Sequence, residues 1–518
     1  MESRGVLRIG DRPISIEDIE DVAARRVGVA LSGAEGFHAR IARGASIVEQ
    51  RLANNVPTYG VNTGFGASVK NAVATDYAYT LAKNLPRYHG CGVGPLLSES
   101  ESRAVMLVRL VSLATGYSGV RPELLGRMCR LLETGVSPAI PSRGSVGASG
   151  DLTPLSYVAA LLVGERKAWL DGKLVDASQA LAHAGLGPWS LAPKESLAIM
   201  NGTSVMAALG SLAFKRAERV ARLGALLTAM QVEAMQAQHA HFDVRLFQAK
   251  PHPGQSAAAA WIRDDLGIPE RPAGRGERIQ ERYSLRCSPH IIGPLVDALK
   301  FGRSVLEAEI NGASDNPLFD PESGDVLHGG NFYGGHLAMI ADLLKTQVAN
   351  QADLSERQQV LLNNPAENGG LPENLVMADG AQRASHHGFK AMEISASALT
   401  AEALKLTMPA SVFSRSTEMH NQDKVSMGSL AANDLLRVLD LVETVQAIQL
   451  IACTQALDCR APGGQLDKLS ARLRGVWQLV RERIELTDED RPMDGDIETA
   501  LDLLRGESLW RVIGEVRV

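Results

Sequence analysis

Between Pro141 and Pro154 the chain reads PSRGSVGASGDLTP, and almost every residue up to the final helix signal is small. One reading is purely structural: a tight Gly/Ser loop ahead of a helix whose start is marked by Thr153 and Pro154. The other is chemical. Gly150 has no side chain, so its amide nitrogen can approach the carbonyl carbon of Ala148 and close a five-membered ring. Dehydration of that ring and of Ser149 would leave a conjugated electrophile made from the chain itself. A helix N-terminus just downstream favours negative charge developing there. Asp151, the next residue, serves equally well as an aid to ring formation or as a helix-entry residue.

Other chemistry is less well supported. His386-His387 and the group His239, His241 and His252 lack the i, i+4 spacing and acidic companions of a zinc site, so no metal is expected. The five cysteines are odd in number and form no C-x-x-C motif, which predicts reduced, mostly buried thiols. A net charge of -6 and a pI near 6.1 give no electrostatic reason to expect a nucleic-acid or acidic-membrane partner. No apolar run approaches the roughly 20 residues that cross a bilayer, and the N-terminal MESRGVLRIGDRP carries no signal-peptide stretch, so a cytoplasmic chain acting on small molecules is expected.

The elements that must position the loop read as helices. Aromatics make up only 4% of the 518 residues while Ala and Leu abound, which predicts an all-α fold. Ser98-Glu99-Ser100-Glu101 is a capping box opening an amphipathic helix, and Pro122 starts another that stops at Gly135. Residues 204–238, 291–310, 335–361, 387–407 and 429–457 have the composition of long bundle helices, several of them apolar on more than one face. Between Gly254 and Arg282 lies the longest polar Gly/Pro-rich interruption, and an acidic turn after Thr487 precedes a short helix. The expected organisation is a mixed N-terminal region carrying the loop (1–203), a central long-helix bundle (204–486) and a short helical tail (487–518), all in one continuous unit.

The segment GSVGASGDLTPLS resembles the histidine, phenylalanine and tyrosine ammonia-lyases and their aminomutase relatives, whose prosthetic group, 4-methylideneimidazol-5-one (MIO), forms from Ala-Ser-Gly. Similar stretches occur at VPTYGVNTGFG (56–66), NGTS (201–204), YSLRC (283–287), GASDNPL (312–318), GGNF (329–332) and HNQDKVSMG (420–428), so the resemblance covers nearly the whole chain. It implies a helical homotetramer whose sites draw on more than one subunit. It further implies MIO from Ala148, Ser149 and Gly150, with no metal or dissociable cofactor. Tyr59 matches the family's base for the β-proton; a phenol of ordinary pKa near 10 must be partly deprotonated by its site to do this. Arg286 matches the arginine whose planar fork binds the substrate carboxylate. Asn201, Tyr283, Gln280, Asn331 and Phe332 match residues around the electrophile.

Substrate choice rests on a few positions. After Asn84-Leu85, the two residues that shape the ring pocket in this family are Tyr88 and His89, and an imidazole there favours a ring with a polar group to bond. Gln422 stands where histidine lyases carry a glutamate toward the imidazole, which argues against histidine. Tyrosine leads, giving 4-coumarate, with phenylalanine (giving cinnamate) close behind. Gln449 replaces a glutamate that many family members have near the substrate amine, which leaves open a 2,3-aminomutase making a β-amino acid. Histidine ammonia-lyase, an inactive helical scaffold and an MIO-free fumarase-like lyase are the remaining alternatives; the first conflicts with Gln422, the second with the intact set of polar site residues, the third with Ala-Ser-Gly.

Overall fold

The structure, a computed structural model, describes residues 5–275, 278–461 and 466–514. It is 60% helical and 7% extended, an all-α fold with a few short sheets. The chain divides into two compact units built from interleaved segments. The first takes the chain up to Lys215 with Gly302–Asp342 and Pro409–Asn433, and the second takes Arg216–Phe301, Leu343–Met408 and the chain from Asp434 onward. Consecutive stretches of sequence do not reveal such a division, because helices distant along the chain supply each core.

Local signals translate directly in several places. Ser98 caps the helix Glu99–Ala114, accepting from the Glu101 N–H while the Glu101 carboxylate accepts from the Ser98 N–H at 2.7 Å. Pro122–Thr134 ends at Gly135, whose φ of +78° only glycine adopts without cost. Among the described residues the longest helices are Ser204–Ala234, Ser288–Ile310, Gly335–Asn363 and Gly428–Arg460. The first stops short of residue 238 because Gln236 turns left-handed at φ +53°. The helix expected over 387–407 is Lys390–Lys405, which starts after the left-handed Gly388.

Three expectations are corrected. The stretch after Gly254 is not an uninterrupted loop, since Pro253–Leu266 forms a helix with proline in its first turn and a left-handed Gly267 at its end. Its alanine run outweighs the flanking Gly and Pro residues. The C-terminal tail holds two helices, Asp494–Arg505 and Glu507–Ile513, separated at Gly506. The cysteines are free but not mostly buried: Cys129 and Cys453 are buried, Cys287 and Cys459 half-buried, and Cys91 exposed. No helix among the described residues is long and apolar enough to cross a membrane.

In the first unit, strand Val93–Leu96 pairs antiparallel with Pro141–Arg143. The chain enters the first strand from the helix Ala78–Tyr88 and leaves the second into the Ala-Ser-Gly loop. Beyond that loop the helix Leu152–Leu162 begins earlier than Thr153 and Pro154 suggest, with Asp151 in the cap position. The Asp151 side chain caps a different helix: its carboxylate accepts from the Val205 and Met206 N–H groups at 3.0 Å each, in the first turn of Ser204–Ala234. It also accepts from the Ser429 and Ser145 hydroxyls. Burial pushes this carboxyl up to about 6 even against those four donors.

Gly150 lies in parallel register with Gly202, and the Asp151 N–H donates to Gly202 O at 2.7 Å. A Cβ on Gly150 would overlap the Gly202 carbonyl, and a Cβ on Gly202 would overlap Arg109 Nη1 and fall 2.5 Å from Ser314 O. Arg109 is fully buried and donates to Ser314 O at 3.0 and 3.1 Å. Gly202→Ala should therefore destabilise the protein by roughly 2–3 kcal/mol in denaturant unfolding, as overpacking does. A neutral or stabilising result, usual for Gly→Ala where a side chain fits, would contradict this packing.

Candidate active site

Two adjoining cavities of about 630 and 400 Å³ open in the first unit, and Tyr59, Gly66, Ala148, Ser149, Asn421 and Gln422 line both. Tyr88 and His89 line the larger one, while Asn201 and Phe332 line the smaller. Gly150 is buried beneath them, its φ of +72° following Ser149 at +49°. Asn331 contributes its backbone carbonyl to the Ser314 hydroxyl at 3.1 Å and does not line either cavity.

The remaining predicted residues belong to the second unit and line neither cavity. Gln280 is exposed, and Tyr283 is 71% exposed on the one-turn helix Tyr283–Arg286. The Arg286 guanidinium lies 4.5 Å from the Tyr283 ring centroid and its Nε donates to Glu281 O at 3.1 Å. Gln449, expected near a substrate amine, is 0% exposed inside the helix Gly428–Arg460 and bonds to other glutamines. The run of buried side chains on that helix, from Ala447 to Ala452, explains why: no face of it at this level is open.

Glu418 brings a carboxylate to the wall of the larger cavity, as Asp423 does to the smaller. The Glu418 carboxylate accepts from the Ala67 N–H and from Asn421 Nδ2, both at 2.8 Å. The preceding amide, Gly66 N–H, donates to the Tyr59 hydroxyl oxygen at 2.9 Å. Two successive backbone amides thus hold a phenol and a carboxylate at the same cavity wall. Glu418, Met419 and His420 all have left-handed φ values, 52°, 52° and 60°, costly for residues with a Cβ and sustained only by surrounding contacts.

Burial raises the Tyr59 phenol above its ordinary value; the Gly66 N–H opposes this, and the charges of Glu418 and Asp315 add to it. Tyr88 is pushed up to about 12, chiefly by burial. His89 is lowered by burial, so it is neutral at pH 7. Its Nδ1 lies 3.2 Å from Leu85 O, and a carbonyl can only accept, so Nδ1 carries the proton and Nε2 keeps a free lone pair. Behind Ser149, Asn201 Nδ2 donates to Asp315 Oδ1 at 3.0 Å and to Asn316 O at 2.9 Å. Lys194, fully buried, closes this network on Asp315 Oδ2 at 2.6 Å. Asn201 Oδ1 is buried with no partner among the described residues. The site therefore offers a phenol, a carboxylate suited to an ammonium, a small-residue loop and, from His89, a hydrogen-bond acceptor.

The model of the family described as "Aromatic amino acid lyase" matches residues 14–482. The chain belongs to the aromatic amino acid lyase family. A histidine ammonia-lyase from Sorangium cellulosum is 38% identical over 97% of this chain and 98% of its own length. A tyrosine ammonia-lyase from Cupriavidus metallidurans is likewise 38% identical, over 92% of each. The solved structure of a tyrosine aminomutase from Streptomyces globisporus superposes with a TM-score of 0.91 at 35% identity, covering 99% of both chains.

In this member of the family, Glu418 and Asp315 are site residues that the sequence reading does not single out. Glu418 stands two positions before the HNQDKVSMG stretch, so extending that motif toward the N-terminus would have found it. Asp315 lay inside the quoted GASDNPL without a role, and only its contacts with Lys194 and Asn201 give it one. Removing the carboxylate in Glu418→Ala should speed hydrogen exchange of the Ala67 amide about tenfold, the equivalent of one lost hydrogen bond. Unchanged exchange there would show that Glu418 does not hold the Tyr59 loop.

Proposed function

We propose that this aromatic amino acid lyase removes ammonia from an aromatic L-amino acid, L-tyrosine foremost, giving 4-coumarate. The observation that carries the reading is the convergence of Tyr59, Ser149, Glu418 and His89 on one cavity. The loop is suited to becoming MIO: Ser149 and Gly150 are already left-handed, Gly150 is packed where no side chain fits, and Asn201, whose buried Oδ1 has no partner among the described residues, lines the smaller cavity with Ala148 and Ser149. Once formed, that group supplies an electrophile which turns the amino group into a leaving group.

The chain's own residues do the rest. Glu418 pairs with the substrate ammonium. That positive charge offsets the carboxylate's effect on Tyr59, so substrate binding itself moves the phenol toward the deprotonated form that takes the β-proton. By family likeness Arg286 binds the carboxylate, while Asn201, Gln280, Tyr283, Asn331 and Phe332 surround the electrophile. We assign these residues to a cytoplasmic homotetramer in which another subunit completes each site; the high exposure of Tyr283 in the single chain supports this.

His89 selects the substrate. Its Nε2 lone pair accepts from a phenol O–H, whereas phenylalanine would leave it unpaired. Gln422 Oε1 accepts from Thr417 Oγ1 at 2.8 Å, so the residue presents a neutral amide where an imidazole substrate would gain from a carboxylate. Overall identity does not separate histidine from tyrosine, being 38% to a relative of each name. A second reading, return of ammonia to the β-carbon as a 2,3-aminomutase, is favoured by the likeness to the tyrosine aminomutase structure.

Incubation with tyrosine, phenylalanine and histidine, with products identified by chromatography and mass, should yield 4-coumarate as the main product. A β-amino acid would select the aminomutase reading, and rapid histidine turnover would overturn the weight given to His89 and Gln422. Ser149→Ala should abolish turnover. His89→Phe should lower the preference for tyrosine over phenylalanine by roughly 10–100-fold in kcat/KM; an unchanged ratio would remove His89 as the selector.

A further inference from the structure

A chain of buried amides runs behind the Tyr283–Arg286 turn. The Ser284 carbonyl oxygen accepts from Gln358 Nε2 at 2.8 Å, and the same amide donates to Thr228 Oγ1 at 2.9 Å. The Thr228 hydroxyl in turn donates to Gly224 O at 2.8 Å. Gln358 Oε1 accepts from Gln449 Nε2 at 2.6 Å, and Gln231 Oε1 lies 3.5 Å from that nitrogen. Gln231 Nε2 returns to the backbone carbonyl of Gln358 at 2.7 Å. Thr228, Gln231 and Gln449 are 0% exposed and Gln358 1%, so none of these groups has bulk water as an alternative partner.

The direction of this chain is determined at its outer end. A backbone carbonyl can only accept, so Gln358 must turn its nitrogen toward Ser284. Its oxygen then faces Gln449, which must answer with a donor. Gln449 Nε2 meets acceptor oxygens of both Gln358 and Gln231, while its own Oε1 has no partner among the described residues. A helix of only four residues has too few internal bonds to hold its shape. Leu285, 1% exposed, anchors it by burial, and Gln358 answers a carbonyl that the turn leaves over. Tyr283 and Arg286 are held on that anchored turn, stacked on one another.

We infer that Gln358 and Gln449 are positioning residues: Gln358 braces the Tyr283–Arg286 turn through Ser284, and Gln449 fixes which way the Gln358 amide points. The effect on turnover rests on the role given to Arg286 and Tyr283 above; the brace itself does not. A glutamate at 449 sets a carboxylate against two acceptor oxygens and leaves Gln358 free to rotate away from Ser284. A guanidinium at 358 is all donors, so it can serve Ser284 O and Thr228 and also meet that carboxylate.

The test uses full-length protein and four variants: Gln449→Glu, Gln358→Leu, the double variant Gln358→Arg/Gln449→Glu, and Arg286→Lys as a reference. Hydrogen exchange of the peptide covering 283–287 and steady-state kinetics with tyrosine are read together. In Gln449→Glu and Gln358→Leu, exchange at 283–287 should rise at least fivefold and KM about tenfold, with kcat changing less, and the double variant should recover both. Should Gln358→Leu not fold, Gln449→Glu and the double variant carry the test alone. Wild-type exchange at 283–287 in Gln449→Glu, whatever its activity, overturns the proposal, as does a double variant no better than the single one. If exchange rises and is rescued while KM stays level in every variant, Arg286→Lys included, the brace is upheld and the substrate-binding role of Arg286 falls.

Discussion

The first unit depends on two backbones passing where no side chain can stand. Gly150 and Gly202 run in parallel register, with the Asp151 N–H bonded to Gly202 O and Arg109 filling the space behind. This contact joins the loop that carries Ser149 to the turn that carries Asn201 and to the start of the helix Ser204–Ala234. Asp151 reinforces the junction with bonds to Val205, Met206, Ser145 and Ser429, which tie in residues far along the chain. A loop of small residues is ordinarily mobile. Here its conformation is over-determined, which is what allows Ser149 to sit at φ +49°.

Charge is handled differently on the two sides of the loop. Lys194 and Asp315 are fully buried, and such a pair persists only when each partner is satisfied. Asp315 meets Lys194, the Asn201 side chain and the Asn316 N–H, so the carboxylate is answered from several directions. Arg109, lowered to about 10 by burial, answers the Ser314 carbonyl nearby. On the cavity side, Glu418 is held by two donors yet borders open space. That contrast between a satisfied interior and a receptive wall separates scaffold from site.

Much of this was legible in the sequence where the controlling signal is local. Ser98 with Glu101 and Pro122 with Gly135 set helix ends through contacts within a few residues, and the small-residue run at Ala148-Ser149-Gly150 declares a loop with unusual backbone freedom. Residues whose roles come from distant partners were not legible. Asp151 looks like the cap of the helix it precedes but caps another one. Gln449 is expected near a substrate amine by family resemblance, yet the helix that carries it is buried on every side at that level. Glu418 lies just outside a matched stretch, and its tie to the Ala67 amide, hundreds of residues away, is written in none of its neighbours.

The central claim is that Ala148-Ser149-Gly150 becomes an electrophile within this packed junction. Its most direct test is the mass of the tryptic peptide Gly144–Arg166 from wild-type protein that is turning over substrate. The expected peptide is lighter than its sequence by two molecules of water. The unmodified mass in active, folded protein would contradict it.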